Sequence, residues 1–517
     1  CQPLAKNGFK LTWAEIEAEI NISLAQAHRL KDKPAQAYAL GYLGGIYQQT
    51  GRLTQAEQLT EQALLTIDST TTPEISYLWQ WQLGRIYQLQ NQPEKALLAY
   101  KTTFEVLQFL RQNLVAINPE IQFTFRDRIE PVYRERVALL LQNNNPSQEN
   151  LRQARDTIEA LQLAELNNFF REACLDVRPQ KIEQIDPKAA VIYSIILPDR
   201  LAVILSQAGQ PLQYYQTLLN PNEIDRTFED LYANLNSFLS ETNLLKPNQT
   251  LYNWLIRPLE SQLEQNKPNT LVFILDGIMR GIPVASLHDG KQYLIEKYNL
   301  ALTPGLQLLT SPSLTSDPLK TIAGGLSEPR QGFSSLPNVE TELSEISTLV
   351  PAEVLLDEKF TRDRLQAQIT TLPYPIVHLA THGQFSSRAE DTFLLTWDDR
   401  INVKDLDRLL QERDFAKDTP IELLILSACQ TAAGDKQAAL GLAGVAMRSG
   451  ALSTVATLWS IQDNSTAELM TQFYRVLKNS EISKAEALRQ AQLSLLRDPK
   501  YQHPFYWSAF VLVGNWL

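Results

Sequence analysis

The sequence predicts two architectures in series: an all-α helical repeat region, then an α/β domain with a mostly parallel sheet flanked by helices. Three observations lead there. The chain has 517 residues, more than one core usually organises. From Thr12 to about Gln112 the apolar spacing is helical and one segment recurs further along. After Pro179 short apolar runs alternate with helical stretches, the pattern of a sheet covered on both faces.

Composition narrows the function classes. With 44% hydrophobic and 20% charged residues the chain reads as an ordinary globular protein. Its net charge of −11, with no Lys/Arg-dense run, gives nucleic acid or an anionic membrane no basic patch to hold. No apolar stretch is long enough for a transmembrane helix. Cys1, Cys174 and Cys429 form neither a disulfide framework nor a zinc pattern, so no cofactor or metal is expected and a reducing, cytoplasmic setting is the simplest reading. The start at Cys1 reads as a fragment or a processed product. A lipid-anchored or exported chain is the alternative.

In the helical region Tyr42-Leu43-Gly44-Gly45-Ile46-Tyr47, followed by Ala56, matches Gln82-Leu83-Gly84-Arg85-Ile86-Tyr87, followed by Ala96, at a spacing of 40. Small Gly and Ala let paired helices approach, and Leu and Tyr fill the groove between them. The pattern resembles tetratricopeptide (TPR) repeats, whose period is about 34 residues; the excess fits an insertion near Asp68–Pro73. Residues 1–118 are therefore assigned to TPR-like repeats, with a regulatory protein expected on their concave face. A plain helical bundle is the alternative. Residues 119–186 read as a helical connector, with apolar positions every three or four residues at Leu151, Ala154, Ile158, Leu161 and again at Leu163, Leu166, Phe170, Ala173.

From residue 187 onward a meander (189–197, 201–206, 212–217) precedes helices near 223–239 and 251–264. Strand-like runs follow at 270–275, 298–303, 320–326, 375–380, 421–427, 452–458 and 509–513. Functional loops in such sheets lie beyond the carboxyl ends of the strands. Two ends carry reactive side chains: His378-Leu-Ala-Thr-His382-Gly383 and Leu426-Ser427-Ala428-Cys429-Gln430-Thr431. An imidazole beside a thiol is what thiol-based acyl transfer needs, since it generates the thiolate and later protonates the leaving amine. The N–H groups of Gly383 and Cys429 are candidates for an oxyanion hole.

His-Gly and Ala-Cys, each closing an apolar strand, resemble the caspase, separase and gingipain clan; the two residues lie 47 positions apart, against roughly 50 in the caspase signature. The match is closer to the bacterial CHAT family, on the two segments above and on Leu442–Ala446, Leu458-Trp459-Ser-Ile-Gln-Asp463, Pro504–Gly514 and Asp276–Pro283. The resemblance covers 187–517. It implies a caspase-haemoglobinase-like fold and a cysteine endopeptidase, a hydrolase of proteins or peptides using His382 and Cys429. It also implies that Asp463 receives a basic P1 side chain, Arg or Lys, with Ser427 lining the same pocket. A carboxylate there pairs well with a guanidinium or ammonium.

Plainer readings stand beside these. Asp463 also suits an N-cap for the helix that follows. His378, on the His382 face of its strand, reads as a hydrogen-bonded core residue. His28, His288 and His503 read as structural or surface groups, and Cys174 as an inert helix residue. The rival function is a catalytically silent TPR-CHAT scaffold or signalling adaptor. No GxSxG elbow or GxxxxGK[ST] loop supports an esterase or nucleotide hydrolase.

Overall fold

A computed structural model describes residues 11–114, 129–170, 182–309, 319–371, 374–386, 391–402, 404–406, 408–410, 421–427, 429–431, 451–461 and 463–517; for 111–114, 170, 183 and 429–431 it describes the backbone alone. The chain divides into two compact units, with the division after Leu161.

The first unit is built of helices. They are α1 (Trp13–Leu30), α2 (Lys33–Gln49), α3 (Leu53–Thr66), α4 (Pro73–Leu89), α5 (Pro93–Leu114), α6 (Glu130–Leu140) and the first part of α7 (Gln148–Phe170). Local chemistry sets their starts. Thr12 and Glu15 form a capping box on α1, and the Asp32 carboxylate caps α2 just before Pro34. The counterparts α2 and α4, and α3 and α5, begin 40 residues apart (Lys33 to Pro73, Leu53 to Pro93).

Close approach explains the recurring glycine. A Cβ on Gly44 would sit 2.5 Å from the Thr60 hydroxyl, and one on Gly84 would sit 2.9 Å from the Tyr100 ring. Further along the unit Glu135 of α6 accepts from Trp81 Nε1 at 2.6 Å and Tyr100 OH at 2.8 Å. It also takes two bonds from Arg85, whose guanidinium lies over the Trp81 ring. That clamp ties α6 to α4 and α5.

The second unit holds fifteen described strands: β1 (Ala189–Ile196), β2 (Arg200–Gln207), β3 (Gln213–Leu218), β4 (Thr270–Ile274), β5 (Asn299–Leu302), β6 (Thr321–Gly325), β7 (Ala352–Leu356), β8 (Ile376–Ala380), β9 (Gly383–Phe385), β10 (Phe393–Leu395), β11 (Arg400–Asn402), β12 (Leu423–Leu426), β13 (Cys429–Thr431), β14 (Ser453–Thr457) and β15 (Phe510–Gly514). Eleven form one mostly parallel sheet in the order β3-β2-β1-β4-β5-β15-β14-β12-β8-β6-β7. The central strands are buried on both faces, which is why they read as unbroken apolar runs. The remaining four make a small sheet, β11-β10-β9-β13, at the carboxyl ends of β8 and β12. Neither this small sheet nor the edge strand β7 is expected from the sequence.

The expected helix at 251–264 is instead Glu241–Leu255, a short 3-10 turn at Arg257–Leu259, and Glu260–Asn266. Pro258 lies in the first turn of that short element, where a missing N–H costs least, and it cannot extend the helix before it.

Candidate active site

Strand register brings the two reactive segments together. β8 and β12 pair in parallel with Leu379 opposite Leu426, and the Ser427 N–H donates to the Leu379 carbonyl at 3.1 Å. Beyond that point both chains leave the large sheet and pair again, so that Cys429 of β13 stands opposite Gly383 of β9, next to His382. The Cys429 and Gln430 side chains lie outside the described residues, as do Ala428 and the Leu442–Ala446 segment.

On its other side β9 meets β10. The His382 carbonyl accepts from the Leu395 N–H at 2.9 Å, and Gly383 pairs with Leu394. Main-chain groups alternate along a strand, so the Gly383 N–H faces β13 and the Cys429 backbone.

His382 is half-buried. Its Nε2 lies 2.8 Å from the Ser334 carbonyl, and its ring packs on Phe333 with centroids 5.0 Å apart. A carbonyl only accepts, so Nε2 carries the proton and Nδ1 is left as the basic nitrogen of the neutral ring. The loop from Leu326 to Pro337 makes this contact. It turns sharply at Gln331 (φ 49°) and Gly332 (φ 90°), and the Asp357 carboxylate holds its start through the Ser327 and Glu328 N–H groups. No sequence signal marks Ser334, because a main-chain carbonyl leaves no trace in side-chain identity; only the Gly332 turn hints at the loop.

Asp463 opens the helix Asp463–Leu477. Its Oδ2 accepts from the Asn338 N–H at 2.5 Å, so the carboxylate serves the N-terminus of a different helix, Asn338–Leu349. Burial pushes its pKa above the usual Asp value; the Asn338 donors and the nearby His382 pull it down, while Glu342 adds to the rise. Ser427 is buried, and its hydroxyl has no hydrogen-bond partner among the described residues. Trp459 donates its indole N–H to the Phe505 carbonyl at 3.1 Å, tying the Trp459–Asp463 segment to the Pro504 turn.

His378 is fully buried, with Nε2 2.8 Å from Glu342 and Nδ1 3.2 Å from the Tyr474 hydroxyl, as a core histidine should be. His503 caps its own turn, accepting from the Phe505 N–H, and His288 accepts from the Gly290 N–H. His28 is exposed on α1, and Cys1 and Cys174 lie outside the described residues. Among the described residues no cluster of His, Cys, Asp or Glu is placed to hold a metal, and no helix is long and apolar enough to cross a membrane.

A helical unit, a mostly parallel sheet, and a histidine and a cysteine at neighbouring strand ends define the class. The family model for the CHAT domain matches residues 245–515, and the chain belongs to that family. No curated protein matches the sequence. Among solved structures it is similar to two Saccharomyces cerevisiae separase–securin complexes. One match has 10% identity and a TM-score of 0.47, covering 96% of this chain and 48% of that one. The other has 12% identity and a TM-score of 0.42, covering 97% and 47%. The chain thus spans about half the length of the separase chains it matches.

Proposed function

We propose that the chain is a cysteine endopeptidase working through His382 and Cys429, with a preference for Arg or Lys at P1. The observation that carries this reading is the β9–β13 register, which sets Cys429 beside the Gly383 that follows a histidine already fixed as the Nε2–H tautomer.

His382 Nδ1 takes the Cys429 thiol proton, and the sulfur attacks the scissile carbonyl. The N–H groups of Gly383 and Cys429 receive the oxyanion. The proton then passes to the leaving amine, and water releases the acyl group from sulfur with His382 as base. Asp463 pairs with the basic P1 side chain and the Ser427 hydroxyl lines the same pocket.

The sparse cysteines fit a cytoplasmic protein. The helices of residues 1–118 take a regulatory protein, the 119–186 segment joins them to the peptidase part, 187–517, and turnover that ignores that partner would remove the regulatory element. The central test is mass spectrometry after treatment with an arginine chloromethylketone. An adduct on Cys429, absent from Cys429→Ala, is expected. An unlabelled wild-type chain, under conditions that label an arginine-specific peptidase, would leave a silent scaffold as the function.

A further inference from the structure

Beside His382 lies a shelf of aromatic rings carrying two guanidinium groups. The Arg330 guanidinium lies 3.4 Å over the Trp397 ring. That of Arg400 lies 4.7 Å from the centre of Phe393 and 5.9 Å from that of Phe333, the ring that packs on His382. Arg400 Nε donates to Gln331 at 3.1 Å, which joins the two arginines through the turn that presents Ser334.

Among the described residues neither arginine has an ion-pair partner, although the chain carries a net charge of −11. The carboxylates next along the chain serve other donors. Asp398 accepts from the Arg362 N–H and the Thr396 hydroxyl. Asp399 accepts from the Arg400 main-chain N–H and from the Arg362 guanidinium at 3.4 Å. The buried Nε of Arg330 has no acceptor among the described residues. A guanidinium held over a ring still has N–H donors to offer, and a carboxylate pairs with two of them.

We infer that Arg330 and Arg400 form a second recognition subsite, which takes an acidic side chain of the bound peptide at a position flanking the one that meets Asp463. The inference rests on the peptidase reading for the path of the peptide, and it gives one substrate strand two charges of opposite sign to match. Charges so placed also fix direction, because a peptide bound backwards would present its acid to Asp463 and its base to the arginines.

The test uses the full chain carrying Cys429→Ala, so that nothing is turned over. The probes are short fluorescein-labelled peptides with a central arginine and one glutamate, moved a position at a time along either side, each with a glutamine twin. Anisotropy titrations are expected to show glutamate binding roughly tenfold tighter than glutamine at one or two positions. The preference should shrink with added salt and vanish in R330Q/R400Q.

Equal binding of every twin, or a preference that survives the double substitution, overturns the inference. Should R330Q fail to fold by thermal melting, exposed Arg400 carries the test alone, with the preference expected to fall at least about threefold in R400Q. A wild type that cleaves nothing yet keeps the glutamate preference sinks the peptidase reading only. Cleavage after arginine with no such preference sinks this inference only.

Discussion

Two histidines four residues apart, on and just beyond the same strand, show how position along β8 divides structure from chemistry. His378 sits inside the sheet, fully buried, with both ring nitrogens spent on Glu342 and Tyr474. His382 sits past the strand end, half-buried, with one nitrogen fixed by the Ser334 carbonyl and the other available. A ring with both nitrogens committed holds a core together. A ring with one committed can move a proton. The difference comes from what the neighbouring elements bring, since the two share a residue type and a strand direction.

The largest effect is expected at the strand end. His382→Ala or Cys429→Ala should lower kcat/KM on an arginine-containing peptide by about a thousandfold or more, with unchanged thermal unfolding. A comparable loss of stability in either variant would make the strand end as structural as its middle. The inverse holds for His378→Ala, which leaves Glu342 buried without that partner, beside an oxygen that has none among the described residues. A loss of about 3 kcal/mol in urea unfolding is expected, with an unchanged m-value.

Asp463 adds a pH dependence to the strand-end site. Burial holds its pKa above the ordinary Asp value, so it ionises later than an exposed carboxyl. Cleavage after arginine should therefore rise with pH through that raised value, and Asp463→Asn should erase this acid limb while cutting arginine selectivity by roughly tenfold to a hundredfold. The stability sign is opposite. A carboxyl with a higher pKa in the folded chain binds more protons folded than unfolded, so its contribution declines as pH rises between the two values. Asp463→Asn should accordingly leave the neutral-pH melting temperature unchanged or higher; a clear drop would mean that the Asn338 contact needs the charge. The smallest effect is expected for Tyr474→Phe, about 1 kcal/mol, from loss of the hydroxyl that bonds His378.

The central strands of the large sheet are legible in the sequence because each is a short apolar run buried on two faces. The small sheet is not. β9, β10, β11 and β13 have three residues each, too few to show a period, and β7 carries Glu353 on an exposed edge. At the site, strand-end position and residue type are enough to point to His382 and Cys429. Asp463 stands out as well, but its bond to the Asn338 N–H depends on a helix 125 positions away in sequence. Glu342 and Tyr474 escape notice for the same reason: they reach His378 from separate helices.

The strand β15 carries a consequence for the order of events during synthesis. It pairs with β14 on one side and β5 on the other, so it is the seam between the meander half of the large sheet and the half that bears His382. Yet it lies in sequence beyond every other described strand. On the ribosome both halves wait, edges open, until Phe510–Gly514 emerges. Until that strand is made, the sheet whose strand ends support His382 and Cys429 is left in two parts.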